Sequence, residues 1–119
     1  MTDIKLEIYK RIYKYAINIV NFVGSLPSNT KTNIIGNQLL RSGTSVTANL
    51  IEARAASSKR DYINFYNHSL KSANETKLWL AIIRDTNQSK KVAAEELLRE
   101  TVEISKIIAA SIITIKNKK

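Results

Sequence analysis

The sequence predicts an all-α protein, an up-down-up-down antiparallel four-helix bundle, on three observations. Apolar residues recur every three or four positions through four long segments, and no run alternates with the period of two that marks a strand. Gly occurs three times and Pro once, too few for the turns of a sandwich or barrel. The breaks between segments span only a few residues, and short connections force consecutive helices to run antiparallel. At 119 residues, the chain fits a single domain.

The first helix is expected over about residues 3–25. Ile4, Ile8, Ile12, Tyr15, Ile19, Phe22 and Leu26 share one face. Tyr9, Tyr13, Ala16 and Val20 form a second stripe beside it, and Gly24-Ser25-Leu26-Pro27 ends the helix. The second helix is expected over 31–56, with Ile35, Leu39, Val46, Leu50 and Ala53 inward. Gly43 within it points to a kink or a close helix–helix approach. The third is expected over 59–86, with Ser58 as its cap and Asp61 three residues on. Tyr62, Phe65, Tyr66, Ser69, Ala73, Thr76, Leu80 and Ile83 make its inward face. The fourth is expected over 90–116, with Ser89 as cap and Leu97, Leu98, Thr101, Ile104, Ile108, Ile112 and Ile115 inward. These helices carry more apolar surface than one core needs, and such excess marks an interface. A homo-oligomer is expected, with Tyr9, Tyr13, Val20 and Trp79 at the contact.

Composition excludes several classes of function. Without Cys there is no disulfide framework and no thiolate metal site. A carboxylate-bridged metal pair in a four-helix bundle needs Glu-x-x-His on two helices. Here Ala55 follows Glu52 at that spacing, Leu78 follows Glu75, and the one histidine, His68, follows no such Glu. No metal, no cofactor and no enzymatic activity are expected, since no nucleophile–base pair or Gly-rich phosphate loop can be assembled. No stretch approaches the ~18 apolar residues of a membrane span, and the N-terminus lacks a signal-peptide pattern. A cytoplasmic protein without a membrane partner is expected.

Two groups of polar residues stand out. Arg41, Ser45, Asn49 and Glu52 lie along one side of the second helix. Buried or half-buried charges must be paired, so a structural polar network is expected, with Glu75 of the third helix as the partner of Arg41. The second group is electrostatic. The formal net charge is +9, which suits an anionic partner such as nucleic acid. Its competing explanation is compositional, because 17 Ile, 13 Lys and 11 Asn also follow from AT-rich codons. Antiparallel topology gathers Lys5, Arg54, Lys59, Arg60, Lys116, Lys118 and Lys119 at one end, against Asp3, Glu7 and Asp61, a balance of +4. The other end holds Lys31, Arg84, Lys90 and Lys91 against Asp85, Glu95 and Glu96, a balance of +1. Arg54, Lys59, Arg60, Lys116, Lys118 and Lys119 are therefore the candidate nucleic-acid-binding residues.

The middle of the chain also carries a resemblance. Residues 38–53, QLLRSGTSVTANLIEA, together with 55–65, AASSKRDYINF, and 75–80, ETKLWL, resemble the bacterial four-helix-bundle proteins encoded in intervening sequences of large-subunit ribosomal RNA genes. The resemblance implies a homopentameric bundle. It also implies a relation to the accessory variability proteins of diversity-generating retroelements, basic pentamers that associate with a reverse transcriptase and nucleic acid. The expected function is a non-catalytic oligomeric binding module for RNA or DNA, with a reverse transcriptase or another protein as a possible partner. The alternative is a protein–protein scaffold whose basicity is compositional.

Overall fold

A computed structural model describes residues 6–118. The expectations placed on Asp3, Ile4, Lys5 and Lys119 lie outside the described residues. Four helices follow one another: α1 (Leu6–Gly24), α2 (Thr30–Ala53), α3 (Lys59–Thr86) and α4 (Lys91–Lys116). Each packs on the next, and α1 also meets α4, more sparsely. The result is a four-helix rod of 50 × 21 × 20 Å.

The helix ends have local causes. Asn29 caps α2 by accepting the Thr32 N–H at 2.9 Å. α2 stops at Ala53, three residues short of expectation, although Ala55 and Ala56 favour helix. The N–H groups of Arg54, Ala55 and Ala56 bond to carbonyls three residues back, at 3.1, 3.0 and 3.1 Å, which tightens the chain into the turn toward α3. Ser58 caps α3 as expected, accepting the Asp61 N–H at 3.0 Å. The Asp61 carboxylate accepts the Ser57 N–H at 3.2 Å, a capping box displaced by one residue. Ser89 does not cap α4. It lies inside a short 3₁₀ turn, Gln88–Lys90, and Lys90 occupies the cap position without a side-chain bond.

The apolar faces meet as the periodicity required. Ile12, Tyr15, Ile19, Leu39, Val46, Leu50, Leu80, Ile83, Ile104, Ile108 and Ile115 are all but fully enclosed. Tyr9 is a correction: it is only 7% exposed and belongs to the core, not to an outer contact stripe. Tyr62 and Tyr66 stack beside it with ring centroids 4.8 Å apart and hydroxyls 3.0 Å apart.

Hydroxyls are buried along with the apolar groups. Thr47 donates to the Ile12 carbonyl at 2.8 Å, joining α2 to α1. Ser69 donates to the Val46 carbonyl at 2.7 Å, and Thr76 to the Ser42 hydroxyl at 2.9 Å, joining α3 to α2. The Tyr15 and Thr101 hydroxyls share a hydrogen bond of 2.7 Å, joining α1 to α4. These bonds require close helices, and Gly43 supplies a close approach of α2 to α1. A Cβ there would stand 2.8 Å from Cγ2 of Ile19. α2 continues unbroken through this point, so Gly43 serves approach and not a break in the helix.

Gly43→Ala should therefore destabilise the fold by about 1 kcal/mol, because overpacking of ~1–3 kcal/mol outweighs the ~1 kcal/mol gain in helix propensity. Gly24→Ala meets nothing within 4 Å and should be stabilising by about 0.5 kcal/mol. Urea denaturation of both variants checks the opposite signs.

Burial pushes the Tyr15 phenol up to about 12 and raises Tyr66 further, first through desolvation and then through Tyr62. A phenol raised on folding leaves stability intact below its unfolded value near 10. Stability is then lost as pH climbs toward 12, because the unfolded chain releases protons that the fold retains. We expect a loss on the order of 2 kcal/mol from Tyr15 alone by pH 12. Thermal melts across pH 9–12, followed alongside tyrosinate absorbance, measure it.

Candidate nucleic-acid interface

The antiparallel path puts the end of α2, the start of α3 and the end of α4 around the start of α1. Two contacts fix this end. The Arg54 guanidinium lies 4.7 Å from the centroid of the Tyr9 ring, a cation–π contact from the α2 terminus to α1. The Lys59 ammonium donates to the Lys118 carbonyl, from the start of α3 to the end of α4. Arg60 and Lys116 are exposed nearby on α3 and α4. The structure thus brings together Arg54, Lys59, Arg60, Lys116 and Lys118, the five described members of the candidate set.

Three arginines elsewhere are paired, while Arg99 has no described carboxylate partner. Arg11 forms a two-pronged pair with Glu100, at 2.8 and 2.6 Å, that ties α1 to α4. Arg84 pairs with Asp85 at 2.8 Å at the opposite end and holds that carboxyl below the usual carboxylate range. Arg41 pairs with Glu75. By contrast, none of Arg54, Lys59, Arg60 and Lys116 is paired with a described carboxylate. Glu7 and Asp61 stay within this end without neutralising any one cation. An array of unpaired cations keeps its field and its N–H donors for an outside anion.

The expected polar network forms in part. The Arg41–Glu75 pair is present, and Gln38 and Trp79 complete it. Gln38 accepts from Arg41 at 3.0 Å, and the Trp79 indole N–H donates to Glu75 at 2.9 Å. Ser45 and Asn49 instead bond back to carbonyls four residues earlier, at 2.7 and 2.9 Å. Glu52 is exposed, and its side chain has no hydrogen bond or ion pair among the described residues. Only Arg41 and Glu75 of the five therefore work as a cross-helix unit. Gln38, expected beside Arg41 on this face at one helical turn, takes part through that contact.

Outside the core, α1 shows an apolar stripe to solvent. Leu6, Tyr13, Ile17 and Val20 are exposed, Tyr13 by 62%. Tyr13 and Val20 thus stand where a contact surface was expected. Trp79 is half-buried against the core, and its indole is anchored by Glu75. No group of three or more potential metal ligands occurs among the described residues. No described helix is long and apolar enough to cross a membrane.

Comparison with known proteins fits this architecture. Among solved structures, the chain is similar to a protein of unknown function from the S23 ribosomal protein family of Bacteroides thetaiotaomicron. The two are 35% identical with a TM-score of 0.81, over 88% of this chain and 97% of that one. No curated protein matches the chain. The family model described as 23S rRNA-intervening sequence protein matches residues 4–110, so the chain belongs to that family.

Proposed function

We propose that the protein is an oligomeric binding module that engages nucleic acid through its basic end. The observation that carries this reading is the gathering of Arg54, Lys59, Arg60, Lys116 and Lys118 around one end of the rod, with the first four free of described carboxylate partners. Phosphate backbones are bound by such arrays through release of condensed counterions, without a need for base-specific contacts. The net charge of +9 supports the same partner. The reading invokes no catalytic group and no cofactor.

Assembly completes the reading. The exposed stripe of Leu6, Tyr13, Ile17 and Val20 offers a contact between copies, and the sequence resemblance implies a homopentamer. Copies arrayed in a ring repeat the basic end, so weak single contacts add through avidity. A reverse transcriptase or another protein would join this assembly as a partner. The same apolar stripe favours the second reading, a protein–protein scaffold whose basicity is compositional.

Replacing Lys59, Arg60, Lys116, Lys118 and Lys119 together by Gln separates the two. Helicity and oligomer size should persist. Affinity for a generic RNA or DNA should fall at least about tenfold at ~100 mM salt, with a flatter log–log salt slope. Lys10→Gln with Lys14→Gln should matter less. Unchanged affinity of the quintuple variant, or no binding by the parent, removes the nucleic-acid reading in favour of the scaffold.

Assembly has its own test in analytical ultracentrifugation. The parent should sediment well above 13.4 kDa, and a Tyr13→Glu, Val20→Glu double variant should shift toward the monomer. A parent that is monomeric at micromolar concentration contradicts the assembly.

A further inference from the structure

The basic end is not a uniform charged cap. Between the end of α2 and the start of α3 lies a cleft of about 270 Å³, with Arg54 and Lys59 among its walls, the Ser57 and Ser58 residues at its rim and Tyr62 among its lining. Tyr62 is only 2% exposed, so the base of the cleft is fixed by the core.

The two cations are held differently from ordinary surface side chains. Arg54 rests on the Tyr9 ring at 4.7 Å. That contact is with the π face of the ring, and no N–H of the guanidinium donates to a described oxygen or nitrogen acceptor. Its side chain makes no hydrogen bond or ion pair with a described residue. A planar fork held in place, with all donors available, suits two-pronged recognition of a phosphate. The Lys59 ammonium gives one donor to the Lys118 carbonyl and has two more. The first N–H groups of α3 add a partial positive charge beside them. The Asp61 carboxylate accepts the Ser57 N–H at 3.2 Å, and neither it nor Glu7 or Glu52 lines the cleft.

We propose that this cleft is a phosphate subsite, in which Arg54 and Lys59 take one phosphate group of a bound nucleic acid. The proposal rests on the nucleic-acid reading above and gives it a defined contact. The same chemistry is offered by an internal phosphodiester and by a terminal phosphomonoester.

Inorganic phosphate is the first probe, titrated into ¹⁵N-labelled full-length protein against chloride at matched ionic strength. Saturable amide shifts should be confined to residues 54–62. They should vanish in Arg54→Gln and in Lys59→Gln, and persist in a Lys10→Gln, Lys14→Gln variant that loses more charge. Melting temperatures of all variants report whether the fold is intact. Shifts spread evenly over the basic surface, or indifferent to Arg54→Gln in a folded protein, overturn the subsite while leaving general nucleic-acid binding standing. Saturable shifts in a protein that binds no RNA or DNA uphold an anion site and remove the nucleic-acid reading.

The second probe is a pair of single-stranded oligonucleotides, one 5′-phosphorylated and one 5′-hydroxylated. Arg54→Gln should weaken binding by about tenfold, the effect of losing a charged hydrogen bond. A loss confined to the phosphorylated strand assigns the terminal monoester, and an equal loss for both assigns the internal diester. No loss for either overturns the proposal.

Discussion

The close approach of α1 to α2 at Gly43 is the constraint on which the other contacts depend. A hydrogen stands where any other residue would put a Cβ 2.8 Å from Ile19. Only at that separation does Thr47 reach across to the Ile12 carbonyl. On the other side of α2, Ser42 and the Val46 carbonyl receive Thr76 and Ser69 of α3 at comparable range. Apolar burial drives the helices together, but it is directionless. The hydroxyl bonds are directional, and a slide of one helix by a residue would leave these donors buried and unpaired. Together they set the longitudinal register of α1, α2 and α3.

Register in turn decides where charge lies. Because α2 ends level with the start of α1, Arg54 can stack on Tyr9. Because α3 starts level with the end of α4, Lys59 reaches Lys118. The basic end is thus a consequence of helix alignment, assembled from residues far apart in the chain. Lys59 and Arg60 stand at a helix start, where the macrodipole disfavours cations and the first-turn Asp61 offsets part of that cost, whereas Arg54 and Lys116 stand at helix C-termini, where it favours them. Elsewhere Arg11, Arg41 and Arg84 are paired with Glu100, Glu75 and Asp85, and Arg99 is not paired with a described carboxylate. What gives the basic end a functional reading is the gathering of Arg54, Lys59, Arg60, Lys116 and Lys118 from three helix termini in one place.

Much of this was legible from periodicity. Ile12, Tyr15, Ile19, Leu39, Val46, Leu80 and Ile104 repeat at helical spacing, and spacing alone places them inside. The basic end followed from antiparallel topology plus residue identity, as did the Arg41–Glu75 pair. What escaped were features that hydropathy ranks wrongly or that depend on geometry. Ser42 and Thr47 are polar, yet both are buried because their hydroxyls find partners across a helix pair. Tyr9 lies at the edge of an outward stripe by angle, and only the position of Tyr62 and Tyr66 brings it inside. The end of α2 is set by the tight turn into α3, which overrides the helix preference of Ala55 and Ala56. Ser89 has the chemistry of a cap but falls within the 3₁₀ turn. The cleft beside Arg54 needs two helix termini and a tyrosine ring in one place, and no local pattern encodes that.

In the proposed function, one end of the rod, and not its net charge as a whole, binds nucleic acid. Ultraviolet cross-linking of the parent to a generic single-stranded RNA, with the attached peptides mapped by mass spectrometry, tests it most directly. Cross-links should concentrate in residues 54–62 and 114–118, with few at Lys31, Lys90 and Lys91. Cross-links spread evenly along the rod, or concentrated at the opposite end, would contradict it.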